Sequence, residues 1–172
     1  MIQASQYRPN VGIIIANQQN QVFLAKRVNQ NAWQFPQGGI TSGESVEQAM
    51  YRELFEETGL LAHHVRVLGR TDRWLQYDVP LDLIEPKNRH IYRGQKQIWF
   101  LLSLLASDQK IMLDASCYPE FDNWCWCDYW LPIEKIAVFK KSVYQTALQE
   151  LSIYLTGLMS YQDWKKLDQS ID

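Results

Sequence analysis

Glu53, Glu56 and Glu57 stand at i, i+3 and i+4, a spacing that puts three carboxylates on one arc of a helix turning about 100° per residue. Glu53 and Glu57 also share a stripe with Val46, Ala49 and Met50, so these acids face partly toward packed protein. Carboxylates crowded in this way resist ionising together unless a cation neutralises them. Hard divalent cations, Mg²⁺ above all, take oxygen ligands and keep waters for a phosphate-bearing substrate. The pattern therefore points to a metal–phosphate site, with a solvated acidic helix face as the plainer alternative.

The helix that must carry these acids is well specified. Ser45 reads as its N-cap with Gln48 three residues on, the capping-box pattern. Gly59 reads as the left-handed residue that ends it. Gly38, Gly39 and Gly43 mark a preceding loop where backbone comes close to a ligand or to another segment. Arg52 stands four residues before Glu56, the spacing of a surface ion pair in its weaker, cation-first orientation.

Around this segment the chain alternates strand and helix signals. Val11–Ala16 and Gln21–Lys26 read as strands joined by an Asn-Gln-Gln-Asn turn, and Val65–Leu68 and Trp74–Tyr77 as further short strands. Lys96–Leu105 is nearly apolar throughout and so reads as a central strand. Pro80–Gly94, polar and broken by two prolines, reads as a long loop, and Trp124–Trp130 alternates like a strand. A second long helix is expected from about Glu134 to Leu155, with Val143, Ala147, Leu151 and Tyr154 at helical spacing; the polar tail beyond it extends this helix or frays. The sum is a mixed sheet between helices, an α/β sandwich, with no internal repeat or interdomain linker.

At 172 residues, one domain with a substantial core is expected. No apolar run is long enough for a membrane helix, and Met1–Tyr7 lacks the basic-then-apolar pattern of a signal peptide. Cys117, Cys125 and Cys127 are an odd number without a CxxC pair, which argues against a disulfide framework or zinc site and for a reducing, cytoplasmic setting. Seventeen Lys+Arg against 19 Asp+Glu give a net charge of −2, unlike a general nucleic-acid binder. Most basic residues read as solvated surface, although a few phosphate contacts suffice for a short 5′ end. Trp33, Trp74 and Trp99 read as core or pocket wall. His63, His64 and His90 have no ligand spacing and read as surface.

Residues 38–60 resemble the Nudix box, Gly-x5-Glu-x7-Arg-Glu-(apolar)-x-Glu-Glu-x-Gly-(apolar), matched at Gly38, Glu44, Arg52, Glu53, Leu54, Glu56, Glu57, Gly59 and Leu60. The resemblance implies a Nudix-type α/β/α sandwich with a loop–helix–loop metal site that binds Mg²⁺ or Mn²⁺ and hydrolyses a nucleoside diphosphate linked to another group. Tyr7–Gly12, Trp33–Ile40, Gly94–Gln97 with Trp99-Phe100, Pro119–Trp124 and Phe139-Lys140 with Val143-Tyr144 are similar to the bacterial RNA pyrophosphohydrolase branch, which overlaps the dinucleoside polyphosphate hydrolases. The family core spans about residues 6–150.

That branch implies removal of pyrophosphate from 5′-triphosphorylated RNA, a step that promotes mRNA decay. It implies Glu53, Glu56, Glu57 and Glu120 as metal ligands with the Gly38 carbonyl as a further oxygen. Glu120, Glu56 or Glu57 would serve as base, and Arg52 would orient the glutamates. Arg8 and Arg27 become candidate triphosphate contacts, because guanidinium forks onto phosphate, and Phe139 beside Lys140 a candidate stacking platform for an unstacked base. Two rivals stand beside this reading: a hydrolase of dinucleoside polyphosphates such as diadenosine tetraphosphate, and a non-catalytic nucleotide or RNA sensor on the same fold.

Overall fold

The two most apolar runs of the chain become neighbours. In the computed structural model, which describes residues 6–168, β1 (Tyr7–Ala16) lies parallel to β7 (Gly94–Leu104), with Tyr7 opposite Gly94 and Ala16 opposite Ser103. Side chains alternate across a strand, and here both faces are covered. Ile14, Trp99 and Leu101 enter one apolar cluster, while Ile13, Ile15, Phe100 and Leu102 enter another. This two-sided burial is why both strands read as continuous apolar runs.

The remaining strands join the sheet antiparallel to their neighbours. They are β2 (Val22–Arg27), β3 (Trp33–Gln34), β4 (Gln37–Gly39), β5 (Val65–Arg70), β6 (Leu75–Asp78) and β8 (Phe121–Cys127). Among the described residues they form an eight-stranded mixed sheet ordered β3-β2-β1-β7-β5, with β4 on β1, β6 on β7 and β8 on β2. Helix α1 (Val46–Thr58) covers one face through Ala49, Met50 and Leu54. Helix α3 (Lys141–Leu151) covers the other through Val143, Tyr144, Ala147, Leu148 and Leu151. The architecture is the expected α/β/α sandwich, with β7 paired to β1, β5 and β6 at its centre.

The single helix expected over 134–155 is instead broken into pieces. A short α2 (Leu131–Lys135) stops at Ile136, which is extended at φ −74°, ψ 153°. A 3-10 turn over Val138–Lys140 follows, then α3, then a second 3-10 turn over Ser152–Tyr154. Ile136 and Val138 are β-branched and lose side-chain freedom in a helix, and the extended backbone at Ile136 lets both Ile136 and Phe139 pack on the same cluster. At the far end the Ser152 hydroxyl donates to the Gln149 carbonyl (2.8 Å), a local bond that competes with helix continuation. Tyr154 therefore leaves the α3 stripe: it is 47 % exposed and lies over Gly69.

Other expectations need smaller adjustments. Trp74 is not core but 41 % exposed, with the Lys96 ammonium 5.2 Å from its ring centroid. The 80–94 loop contains two 3-10 turns, Leu81–Leu83 and Pro86–Asn88, and the polar tail forms a separate α4 (Tyr161–Asp168). The residues read for a signal peptide lie mostly outside the described range. Among the described residues the three cysteines carry no disulfide, and no helix is long and apolar enough to cross a membrane.

Tyr144 ties α3 to the link between β3 and β4: the Phe35 N–H donates to its phenol oxygen (3.0 Å), and both residues are fully buried. Tyr144→Phe leaves that N–H without its acceptor and is expected to lower stability by about 1–3 kcal/mol. Urea denaturation at unchanged m-value checks this; no measurable change would contradict it.

Candidate active site

Helix α1 is locked at both ends, which fixes the direction of its acids. The Ser45 N–H donates to Gln48 Oε1 (2.8 Å) and the Gln48 N–H to Ser45 Oγ (3.1 Å), closing the capping box. Gly59 takes φ 72° and returns its N–H to the Phe55 carbonyl (2.8 Å). Between these caps Glu53 and Glu57 are 8 % and 3 % exposed, whereas Glu56 faces solvent. Glu53 packs on Gly38, where any Cβ would overlap its carboxyl group; the glycine is required by this approach.

Arg52 is much more than the surface partner of Glu56. Its Nε and Nη2 fork onto Glu44 (2.7 and 2.9 Å). Nη1 reaches Glu53 Oε1 (2.6 Å) and Glu56 Oε2 (3.4 Å), and Nη2 also donates to the Gly39 carbonyl (2.7 Å). Every N–H of the guanidinium is thereby engaged. One side chain joins the glycine loop, the first box glutamate and two acids of α1. Glu44 in turn accepts from the Thr41 N–H and hydroxyl (2.9 and 3.0 Å). The hydrogen bonds from Arg52, with those from Thr41, hold its carboxyl down at about 2.

Glu57 is in the opposite situation. Its Oε2 accepts from the Gln37 N–H (2.9 Å), but Oε1 is buried with no hydrogen-bond partner among the described residues. Burial first, then the neighbouring charge of Glu120 and its carboxyl within hydrogen-bonding reach, then Glu53, push the Glu57 carboxyl well above the ordinary carboxylate range. Two carboxylates can face each other at this distance only by sharing a proton or a cation. Glu53 is also pushed up by burial and by Glu56 and Glu120, against the pull of Arg52. Glu120 comes from the segment just before β8, pinned where its carbonyl accepts from the Val28 N–H (2.9 Å).

Glu53, Glu56, Glu57 and Glu120 thus form one electrostatic cluster. Among the described residues no three acidic, histidine or cysteine side chains stand as a ready-made metal cage, and Arg52 engages Glu53 and Glu56. The donor set is nevertheless the all-oxygen kind that a hard divalent cation takes. The buried, partnerless oxygen of Glu57 is the group that such an ion would satisfy.

Beside the cluster lies a cleft of about 650 Å³ lined by Arg27, Gln34, Gln37, Tyr77, Phe139 and Lys140, among others. Gln37 connects the two regions, since its backbone holds Glu57 and its side chain accepts from Gln97 Nε2 (3.3 Å). Phe139 is half-buried, 6.0 Å from the Tyr77 ring, with the Lys140 ammonium 5.9 Å from its own centroid. Burial, and next the positive charge of Arg27, push Lys140 down to about 8, with Glu120 opposing. Of the residues singled out in the sequence, Arg27, Phe139 and Lys140 are together in this cleft.

Arg8 is not. It lies against Gly39 and lines an adjoining pocket of about 220 Å³ that shares Val79, Leu83 and Gln95 with the cleft. Gln34, Gln37, Tyr77 and Gln95 were given no role in the sequence. Gln34 and Gln37 were signalled only by the amide-rich run Trp33-Gln-Phe-Pro-Gln entering the glycine loop, Tyr77 by its strand and Gln95 by the Gly94–Gln97 segment.

The NUDIX domain family model matches residues 6–147, and the chain belongs to the Nudix family of pyrophosphohydrolases, whose members use divalent cations such as Mg²⁺ or Mn²⁺. Its fold is similar to that of the Escherichia coli dihydroneopterin triphosphate pyrophosphohydrolase (TM-score 0.65, 21 % identity, covering 87 % of this chain and 99 % of that one). It is also similar to a Caenorhabditis elegans Ap4A hydrolase binary complex (TM-score 0.64, 20 % identity, covering 87 % and 98 %). At these identities the likeness is one of fold.

The raised Glu57 carboxyl has a consequence for stability. In metal-free buffer the folded chain keeps a proton on Glu57 that the unfolded chain releases above about 4.5. Stability contributed at this site therefore falls as pH rises through the window above that value. Glu57→Gln removes this dependence, so the variant gains on the parent protein as pH rises above about 4.5 with EDTA present. Urea denaturation across that range checks it; parallel profiles would contradict it.

Proposed function

We propose that this chain removes pyrophosphate from the 5′-triphosphate end of RNA and leaves a 5′-monophosphate. The observation that carries the reading is the juxtaposition of the carboxylate cluster with a cleft that pairs cationic donors, Arg27 and Lys140, with an aromatic face, Phe139. Single-stranded RNA is taken up through such pairs, phosphate on the cations and an unstacked base on the ring.

In this mechanism Glu53, Glu56, Glu57 and Glu120, with the Gly38 carbonyl, would hold Mg²⁺ or Mn²⁺, which when bound would supply charge neutralisation of the phosphates and a lowered proton affinity of water. Glu120, or one of Glu56 and Glu57, would take the proton of the water whose oxygen bonds to the α- or β-phosphorus, while the α–β phosphoanhydride bond breaks and frees pyrophosphate and a 5′-monophosphate end. Arg52 touches no substrate; it sets the positions of Glu53 and Glu56 against the glycine loop. Arg27 and Lys140 bind phosphate oxygens in the cleft, and Arg8 meets them from the Gly39 side. A cytoplasmic enzyme of this kind would expose transcripts to ribonuclease decay.

A second reading, hydrolysis of dinucleoside polyphosphates, draws support from the adjoining pocket at Arg8, which gives a second nucleoside a place beyond the phosphates. The complete acidic set speaks against a non-catalytic sensor, which has no need to hold repelling carboxylates together.

Pyrophosphate release from 5′-triphosphorylated RNA, with and without Mg²⁺ and beside a diadenosine tetraphosphate reaction, separates these readings. Metal-dependent conversion to 5′-monophosphate RNA is expected; rapid dinucleotide cleavage without RNA turnover would overturn the RNA reading and keep the chemistry. Glu57→Gln should fold and lose about 10²-fold or more in kcat. Phe139→Ala should lower kcat/KM for RNA by about 10-fold and act less on the dinucleotide; equal losses would make Phe139 a packing residue. As Lys140 loses its proton above about 8, KM for RNA should rise, and Lys140→Met should abolish that rise.

A further inference from the structure

Gln34 lies in the cleft between groups given roles above, yet it has none itself. It sits on β3, whose backbone pairs with Ala25 and Lys26 of β2, and it is 4 % exposed. Its Oε1 is 3.5 Å from the Lys140 ammonium, which sets the sense of the amide, because turning it over would place donor against donor. The Nε2 group is then left buried, without an acceptor among the described residues. A buried amide donor without an acceptor is uncommon, since nothing offsets its desolvation. Gln34 lines an open cleft and its Nε2 is covered there, so a bound molecule supplies the acceptor by drawing the amide outward.

The surroundings indicate which acceptor. Anionic oxygens are served by Arg27 and Lys140, which carry charge and several donors each. A neutral amide among Trp33, Tyr77, Val79 and Phe139 suits a neutral acceptor on a flat, largely apolar group: a carbonyl oxygen or ring nitrogen on a base edge. We propose that Gln34 is a specificity-determining residue whose Nε2 donates to such an acceptor on the nucleobase seated in the cleft, favouring bases that present one there. This rests on the cleft being the substrate cleft, as in the reading above. A site that hydrogen-bonds a substrate group rejects analogues lacking it, because its own donor is then stranded.

The test pairs a variant with substrate analogues. Turnover is measured for the parent protein and Gln34→Met on 5′-triphosphorylated RNAs whose first or second base is guanine, 7-deazaguanine (no ring N7) or 2-aminopurine (no O6). Diadenosine tetraphosphate and its 7-deaza counterpart run in parallel. In the parent protein at least one acceptor deletion should lower kcat/KM by about 3- to 10-fold, and Gln34→Met should bring that ratio close to 1. Gln34→Glu, of nearly the same shape but without the donor, should also lose the discrimination, and it keeps the test decisive if the methionine variant does not fold.

A variant that slows every substrate equally, or that keeps the parent discrimination, would overturn the proposal and make Gln34 a packing or phosphate-side residue. RNA left untouched while the dinucleotide is cleaved would overturn the RNA reading alone, and Gln34 would be judged on the dinucleotide pair. Turnover of neither substrate would overturn both.

Discussion

Everything around the site depends on keeping like charges together where water reaches them poorly. Glu57 is almost completely buried, with one oxygen unsatisfied and the carboxyl of Glu120 facing it. Left alone, these groups would take up protons or push apart. The chain prevents separation by covalent and packed means: Glu53 and Glu57 sit within one capped helix, Gly38 lets the Glu53 carboxyl approach the loop, and the Gln37 N–H holds the second oxygen of Glu57. Arg52 supplies the opposite charge on one side only, toward Glu44, Glu53 and Glu56. The uncompensated side, at Glu57 and Glu120, is where the proposed cation would sit.

The sandwich explains how such a cluster meets the neighbouring cleft. Helix α1 packs on one face of the sheet, while Tyr77, Phe139 and α3 belong to the cluster on the other. The two layers communicate through a short polar seam in the sheet. Gln97 donates to Asn10 Oδ1 (2.8 Å) and to Gln37 Oε1 and accepts from the Trp99 indole (3.1 Å), while Gln37 reaches Glu57. These groups come from β1, β4 and β7, brought side by side by the parallel pairing of β1 and β7. Their hydrogen bonds satisfy one another, which makes a buried polar seam tolerable in an otherwise apolar sheet.

The sequence made some of this plain and hid the rest for physical reasons. The capping box at Ser45, the left-handed Gly59 and the apolar character of β7 are local signals, and each matches the structure. The breaks at Ile136 and Ser152 were hidden because the apolar stripe continues smoothly in sequence: the first depends on the packing of Ile136 and Phe139 on the sheet, and the second on a single hydroxyl turned back to the Gln149 carbonyl. From spacing alone Arg52 was legible only as a partner of Glu56, and the resemblance added that it orients the glutamates; its bonds to Glu44 and the Gly39 carbonyl depend on how the loop folds back. Gln34 and Gln37 were least visible, since a glutamine gains its meaning from what surrounds it rather than from spacing. Arg8 was grouped with Arg27 by residue type, and the fold sets them in neighbouring pockets instead.

The central claim is that Glu57 exchanges its proton for a divalent cation. Calorimetric titration of Mg²⁺ or Mn²⁺ into the metal-free protein near neutral pH, in two buffers of different ionisation enthalpy, tests it most directly. Binding should release protons, because deprotonation of a ligand accompanies metal uptake. In Glu57→Gln the affinity should fall by about 10-fold or more and the proton release should disappear. Unchanged affinity and proton count in the variant would show that the cation binds elsewhere and that the crowding at Glu57 has another cause.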